Sequence, residues 1–245
     1  MKRMKEELYL LPKERVFAEF RKALASNKPS SFFEVLRQTD LLEVHFKEIY
    51  DLIGQTQPIK YHPEGDSYKH TMIAVDTSAG LTDQLEIRYS TLVHDLGKGV
   101  TPKERLPHHY GHDEKGVELV RKLSNRIGVP TRWKKCGITA AKEHMRAGIF
   151  DKMKPAKQVK LIEALDKSLL GLAGMRIVVT CDRAGKLGTK EEINFETIGQ
   201  EMLESVSGKS ILSKYGKLEG KEFGRRLKEE RIKFIKNCQK SIKKN

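Results

Sequence analysis

Residues 83–97 read DQLEIRYSTLVHDLG, and the fold turns on how this stretch is read. Leu85, Tyr89, Leu92, Val93 and Leu96 recur at helical intervals on one face, and Gly97 supplies the backbone freedom that stops a helix. Where the apolar face ends, His94 and Asp95 follow one another. Adjacent helical positions point about 100° apart, so both side chains reach one ion only if it lies beside the helix end. Further ligands must then come from other helices.

The same periodicity runs outward in both directions. Ser31 and Glu34 stand at capping-box spacing ahead of Phe32, Val35, Leu36 and Leu42, which predicts an amphipathic helix with its start at that serine. Further helices are expected over residues 113–127, with Val117, Val120, Leu123 and Ile127 inward, over 131–145, and over 159–181 as one element. Proline and glycine punctuate between them, at Pro29, Pro58, Pro102, Pro107, Gly128, Pro130 and Pro155. Ile177-Val178-Val179-Thr180 is the only convincing β-branched run, and it sits inside a helical pattern. The expected fold is therefore all-α.

The chain has 245 residues, 38% apolar and 33% charged, enough to bury a core and too apolar for disorder. Residues 1–14, MKRMKEELYLLPKE, have no signal-peptide apolar region, so a cytoplasmic protein is expected. Cys136, Cys181 and Cys238 lie far apart and imply neither a disulfide framework nor a thiolate metal site. The formal net charge of +14 favours a polyanionic partner, nucleic acid first. From position 214 to the end, twelve Lys and Arg face four Glu, with Leu227, Ile232, Phe234, Ile235 and Ile242 between them. That segment reads as a basic helix with one docking face, its lysines serving either solubility or a phosphate backbone.

His94-Asp95 gains meaning from what surrounds it. Asp66 is a natural N-cap that places His70 in the first turn or two of a helix. His112 opens another helix after a loop, and His144 and Asp182 fall near the C-terminal ends of two more. The order His70, His94-Asp95, Asp182 resembles the signature of the HD-domain phosphohydrolases, helical metal-dependent enzymes that cleave phosphate esters. Residues 62–66 (HPEGD), 94–99 (HDLGKG) and 106–112 (LPHHYGH) also resemble the HD region of bacterial CCA-adding enzymes, the tRNA nucleotidyltransferases. The kinship extends from about Glu14 to the basic terminus, with residues 15–17 and 30–36 resembling the helical body of those enzymes.

The resemblance implies an HD-domain helical bundle with flanking N- and C-terminal helices: a body-like segment over 1–58, the HD region over 59–200 and a basic helical segment over 201–245. It also shows a difference. The nucleotide-adding head of those enzymes uses a Gly-Ser step and an Asp-x-Asp pair. Here no glycine precedes serine, and no aspartate is followed two residues later by Asp or Glu. Nucleotide addition by this polypeptide alone is not expected.

The implied activity is a metal-dependent phosphodiesterase or phosphatase acting on nucleotides or RNA ends, including cyclic 2′,3′-phosphates and phosphomonoesters. The alternative is an RNA-binding remnant, or a subunit whose nucleotidyltransferase head is on another chain. His70, His94, Asp95 and Asp182 suit manganese, iron, cobalt, nickel or zinc. With His112 and His144 as additional ligands a second ion about 3.5–4 Å away is feasible; otherwise those histidines bind phosphate or protonate the leaving group. Lys98 and Arg183 are the cations expected near the substrate phosphate, although Lys98 would equally serve a helix C-terminus. His108 and His109 are placed at the substrate mouth. His62 reads as a turn residue, and His45 as a helix-surface residue without chemistry.

Overall fold

The computed structural model describes residues 2–184 and 194–242. Positions 185–193 and 243–245, within the expected HD region and basic terminus, lie outside the described residues, as does the side chain of Ile242. Four helices open the chain: α1 (Lys2–Tyr9), α2 (Lys13–Ala25), α3 (Ser30–Gln38) and α4 (Leu42–Tyr50). Six follow: α5 (Ser67–Leu81), α6 (Leu85–Val93), α7 (His112–Arg126), α8 (Thr131–Gly148), α9 (Pro155–Asp166) and α10 (Gly171–Asp182). The last three are α11 (Phe195–Ser205), α12 (Gly208–Tyr215) and α13 (Gly220–Ile242). Among the described residues there is no strand, only an isolated bridge between Thr56 and Asp66, so the fold is all-α. None of these helices is long and apolar enough to cross a membrane.

Two cores hold the helices. Phe20 of α2 is fully buried and meets Phe33, Phe46 and Tyr89 at ring-centroid distances of 6.3, 5.5 and 6.1 Å, which joins the N-terminal helices to α6. Each such side chain contributes roughly 1.5–3 kcal/mol on leaving water. The second core gathers Cys136 and Ala140 of α8, Ile162 of α9, Val178 of α10, Met202 of α11 and Ile235 of α13. Ile177 to Thr180 lie within α10, as the helical pattern predicts. Burial pushes the Cys136 thiol up to about 11 and the Cys181 thiol up to about 12, so both behave as core groups.

Arg88 is a buried cation whose role the periodicity did not reveal. Its guanidinium donates to the carbonyls of Leu24, Ser26, Ala79 and Thr82 at 2.7–3.1 Å, groups left over where α2 and α5 end.

Three expectations need correction. The Ser31–Glu34 capping box is not formed: α3 begins one residue earlier, Glu34 pairs with Arg37, and Ser30 gives its N–H and hydroxyl to Asp76 of α5. Val35 is 59% exposed, and Leu42 belongs to α4 because Asp40 turns the chain with φ of 56°. The single helix over 159–181 is two, since Gly171 takes φ of 69° and its N–H bonds to Ser168 Oγ. Finally, α6 ends at Val93, and Gly97 sits inside a 3-10 turn, Leu96–Val100.

Candidate metal centre

The ends of five helices meet at one place. Asp66 caps α5 by accepting from Lys69 N–H, and its other oxygen accepts from Gly54 N–H at 2.8 Å, which fixes His70 one turn inside. His94 and Asp95 follow the last residue of α6, His112 is the first of α7, His144 lies in the last turn of α8, and Asp182 ends α10.

Each imidazole is held by its Nδ1. His94 Nδ1 donates to Thr91 O at 2.6 Å, His112 Nδ1 to His109 O at 2.7 Å and His144 Nδ1 to Ala140 O at 3.0 Å. His70 Nδ1 donates to Glu64 Oε1 at 2.6 Å. Carbonyls and carboxylates only accept, so each of the four rings carries a proton on Nδ1 and turns Nε2 to the centre, where that of His70 also meets Asp182 Oδ1 at 3.1 Å. That is how metal-binding histidines are oriented.

The Nε2 atoms divide into two groups around Asp95. His94 Nε2 lies 3.2 Å and His70 Nε2 3.8 Å from Asp95 Oδ2, and Asp182 Oδ1 closes this group at 3.1 Å from His70 and 3.5 Å from His94. His112 and His144 each place Nε2 3.3 Å from the other oxygen, Asp95 Oδ1, and 3.4 Å from one another. All these groups except Asp182 are at most 7% exposed. Asp95 Oδ2 is paired with the Lys98 ammonium at 2.6 Å, whereas His94 Nε2 and Asp95 Oδ1 are buried with no hydrogen-bond partner. Buried polar atoms left so are costly in a dry interior, and a cation held among these donors would satisfy them. The donor set therefore fits a metal.

Charge tells the same story. Burial opposes ionisation of Asp95, yet the Lys98 ammonium and the imidazoles around it hold its carboxyl well below the usual carboxylate range. Burial also opposes a charged His94, but Asp95 and Asp182 outweigh it and carry the ring up to about 10. His70 is raised likewise against its burial, by Asp182 and Glu64. His144 is pushed down, burial dominating. Protons occupy part of the place that a cation would take.

A cavity of about 410 Å³ opens over the cluster, with Lys98, Asp182 and Arg183 in its wall. Lys98 is 6% exposed, 2.6 Å from Asp95 Oδ2 and bonded to Gln57 Oε1, which places its charge inside the site and away from any surface helix end. Arg183 donates to Gly148 O at 2.9 Å on the opposite lip. His108 is exposed and stacks on Tyr110. His109 engages both ring nitrogens, with Thr101 Oγ1 at 2.8 Å and Thr56 O at 2.9 Å, so it braces the wall. His45 ties α4 to Leu8 O at 2.8 Å.

The roles of three residues escaped the reading of the sequence. Glu64 Oε1 holds His70 and, at 3.2 Å, His62 Nδ1; His62 stands edge-on to His70 with centroids 4.8 Å apart; Gln57 is the partner of Lys98. All lie in a loop without periodicity. His62 and Glu64 stand in the HPEGD stretch, residues 62–66, whose resemblance says nothing of what they bond, and Gln57 precedes it without a motif.

Residues 67–169 match the HD domain family, and residues 1–52 match the family described as the probable RNA and SrmB-binding site of polymerase A. Residues 67–169 thus form an HD domain, an all-helical unit, and histidines and aspartates converge at it from helix ends. More narrowly, the chain is related to the CCA-adding enzymes and resembles their C-terminal part. It is 37% identical over 194 residues to the multifunctional CCA protein of Mannheimia succiniciproducens, covering 76% of this chain and 46% of the relative. The corresponding protein of Shewanella denitrificans is 38% identical over 187 residues, with 76% and 45% covered. That of Acinetobacter baylyi is 33% identical over 240 residues, with 96% and 57% covered. The chain thus spans about half the length of the curated relatives it matches.

Proposed function

We propose that this chain is a metal-dependent phosphohydrolase acting on nucleotides or RNA ends. The observation that carries the reading is Asp95, whose two oxygens face two different pairs of inward imidazole nitrogens. His70, His94, Asp95 and Asp182 would hold one divalent ion and Asp95, His112 and His144 a second, the two sharing Asp95. Bound there, such ions acidify a coordinated water and neutralise charge on a phosphate. The donor types suit manganese, iron, cobalt, nickel or zinc.

The chain's own residues do the rest. Lys98 neutralises part of the Asp95 charge and leaves a positive edge toward the cavity. Arg183, on the rim, forks phosphate oxygens and sets the distance between substrate and floor. Glu64 locks His70 in one tautomer. The burial of His94 and His144 keeps bulk water out, so these charges act in a low-dielectric setting. His112 also lines a smaller cavity of about 220 Å³ beside the first, and is placed there to protonate a leaving oxygen.

A second reading rests on the match of residues 1–52 to an RNA-binding family together with the +14 charge. In it, the chain grips tRNA or other RNA as a remnant or subunit of a CCA-adding enzyme, with the nucleotidyltransferase head on another chain, in the cytoplasm. One experiment separates the two. Protein stripped and reloaded with each candidate metal is offered 2′,3′-cyclic AMP, AMP and p-nitrophenyl phosphate. Metal-dependent turnover is expected, lost by several orders of magnitude in Asp95→Ala together with the bound metal while helical circular dichroism persists. Inactivity with every metal and substrate leaves the RNA-binding reading.

A further inference from the structure

The cavity over the cluster is not single. A second chamber of about 220 Å³ meets the first, of about 410 Å³, at Pro58, His62, Lys98 and Met145, and reaches His112 on the floor. The larger chamber carries Asp182 and Arg183 together with Tyr61, a residue 59% exposed. The smaller carries Tyr110, 72% exposed and stacked on His108 at 5.7 Å with 24° between the rings. Among the described residues no carboxylate lines the smaller chamber. Each opening over the Lys98 partition thus has its own aromatic platform standing in water.

A phosphomonoester has one organic group and uses one chamber. For such a substrate the second chamber and its exposed, stacked ring pair would have no occupant. A diester has an organic group on each side of phosphorus, and a nucleobase is the planar partner that exposed Tyr and His faces bind without regard to sequence. Resting on the phosphohydrolase reading above, we infer that the preferred substrate is a phosphodiester joining two nucleosides. Its phosphate lies over Lys98, one base against Tyr61 and the other against the Tyr110–His108 stack. In the reaction, a water oxygen bonds to phosphorus and one ester P–O bond breaks. The departing alkoxide takes a proton, leaving a nucleoside and a nucleotide.

The trial compares the metal-loaded wild type with Tyr110→Ala and Tyr61→Ala, using the dinucleotide ApA, 3′-AMP and p-nitrophenyl phosphate as substrates. A methylene-phosphonate analogue of ApA is titrated alongside to report binding without cleavage. Metal content and circular dichroism are checked to match wild type. Expected is a fall of about tenfold in the kcat/KM ratio of ApA to p-nitrophenyl phosphate in Tyr110→Ala, carried by KM, as removal of one stacked base implies. Tyr61→Ala should weaken ApA and 3′-AMP alike. An unchanged ratio in Tyr110→Ala, or an analogue that binds no tighter than 3′-AMP, overturns the two-chamber inference while leaving any measured phosphohydrolysis intact. Conversely, Tyr110-dependent binding of the analogue with no ester cleaved keeps the recognition and removes the hydrolase.

Discussion

A methyl group on Gly97 would lie 1.9 Å from the carbonyl oxygen of His112. No real carbon tolerates that distance, so the turn after Asp95 and the first residue of α7 press together only because Gly97 has no side chain. This close approach sets where His112 Nε2 stands relative to Asp95 Oδ1, 3.3 Å away. Gly97→Ala must push the two backbones apart. Overpacking of this kind costs about 1–3 kcal/mol. A lowered Tm and weaker binding of the second metal equivalent than of the first are expected by calorimetry. Equal weakening of both equivalents would show that Gly97 serves stability alone.

Glu64 makes no direct approach to the metal-facing atoms, yet it accepts from His70 Nδ1 at 2.6 Å and is held down to about 2, its own burial opposed by His70. Partners of this type set ligand orientation and basicity, and losing one lowers metal affinity by roughly 10–100-fold. Glu64→Gln keeps the size and still accepts one hydrogen bond, so it should fall at the mild end, Glu64→Ala at the severe end. Competition against a chelator measures both. Identical affinity in the two variants and the wild type would show that His70 needs no clasp.

What the sequence disclosed follows from the kind of signal each feature leaves. The helices of residues 83–97 and 113–127 were legible because Tyr89, Leu92, Val120 and Leu123 repeat at helical spacing and are fully buried. The convergence of His70, His94, Asp95 and Asp182 could be read from residue type and order. The break at Gly171 was not, because apolar residues continue across it and only the backbone angle marks the turn. Glu64 and Gln57 were missed because loop residues that hold other side chains have no period. Nothing in the helical period singles out Arg88, and only the assembled ends of α2 and α5 show what it bonds.

The metal-free protein should carry a proton that metal displaces. His94 is raised to about 10 from an ordinary value near 6.5, so its pairing with Asp95 and Asp182 stabilises the apo fold fully below about pH 6.5. That contribution is lost as pH rises through about 10. Metal needs the neutral imidazole, so loading at pH 8 releases protons and affinity climbs with pH across this window. Titrating Mn²⁺ or Zn²⁺ into weakly buffered protein with a pH indicator counts them. A pH-independent affinity with no release would mean that the ring is already neutral.

The basic C-terminal helix cannot be tested by removing it. Ile235 of α13 is buried in the second core, Arg231 bonds Glu163 of α9 at 2.7 Å, and Gln239 bonds Gln158 at 2.9 Å. Deleting residues 214–242 would therefore unfold part of the body and mimic a failure to bind RNA. Several cations are also committed within the helix, as in the Arg225 pairs with Glu222 and Glu229. Lys228, Lys236 and Lys240 are exposed and stand off the packed face. Neutralising these three to Gln should leave Tm within about 1–2 degrees, since exposed charges contribute little. If they meet a phosphate backbone, the slope of log affinity against log salt for tRNA falls by about 0.7–0.9 for each phosphate that is no longer neutralised. An unaltered slope assigns those lysines to solubility and moves the search for the RNA-binding surface to residues 1–52, where the family match lies.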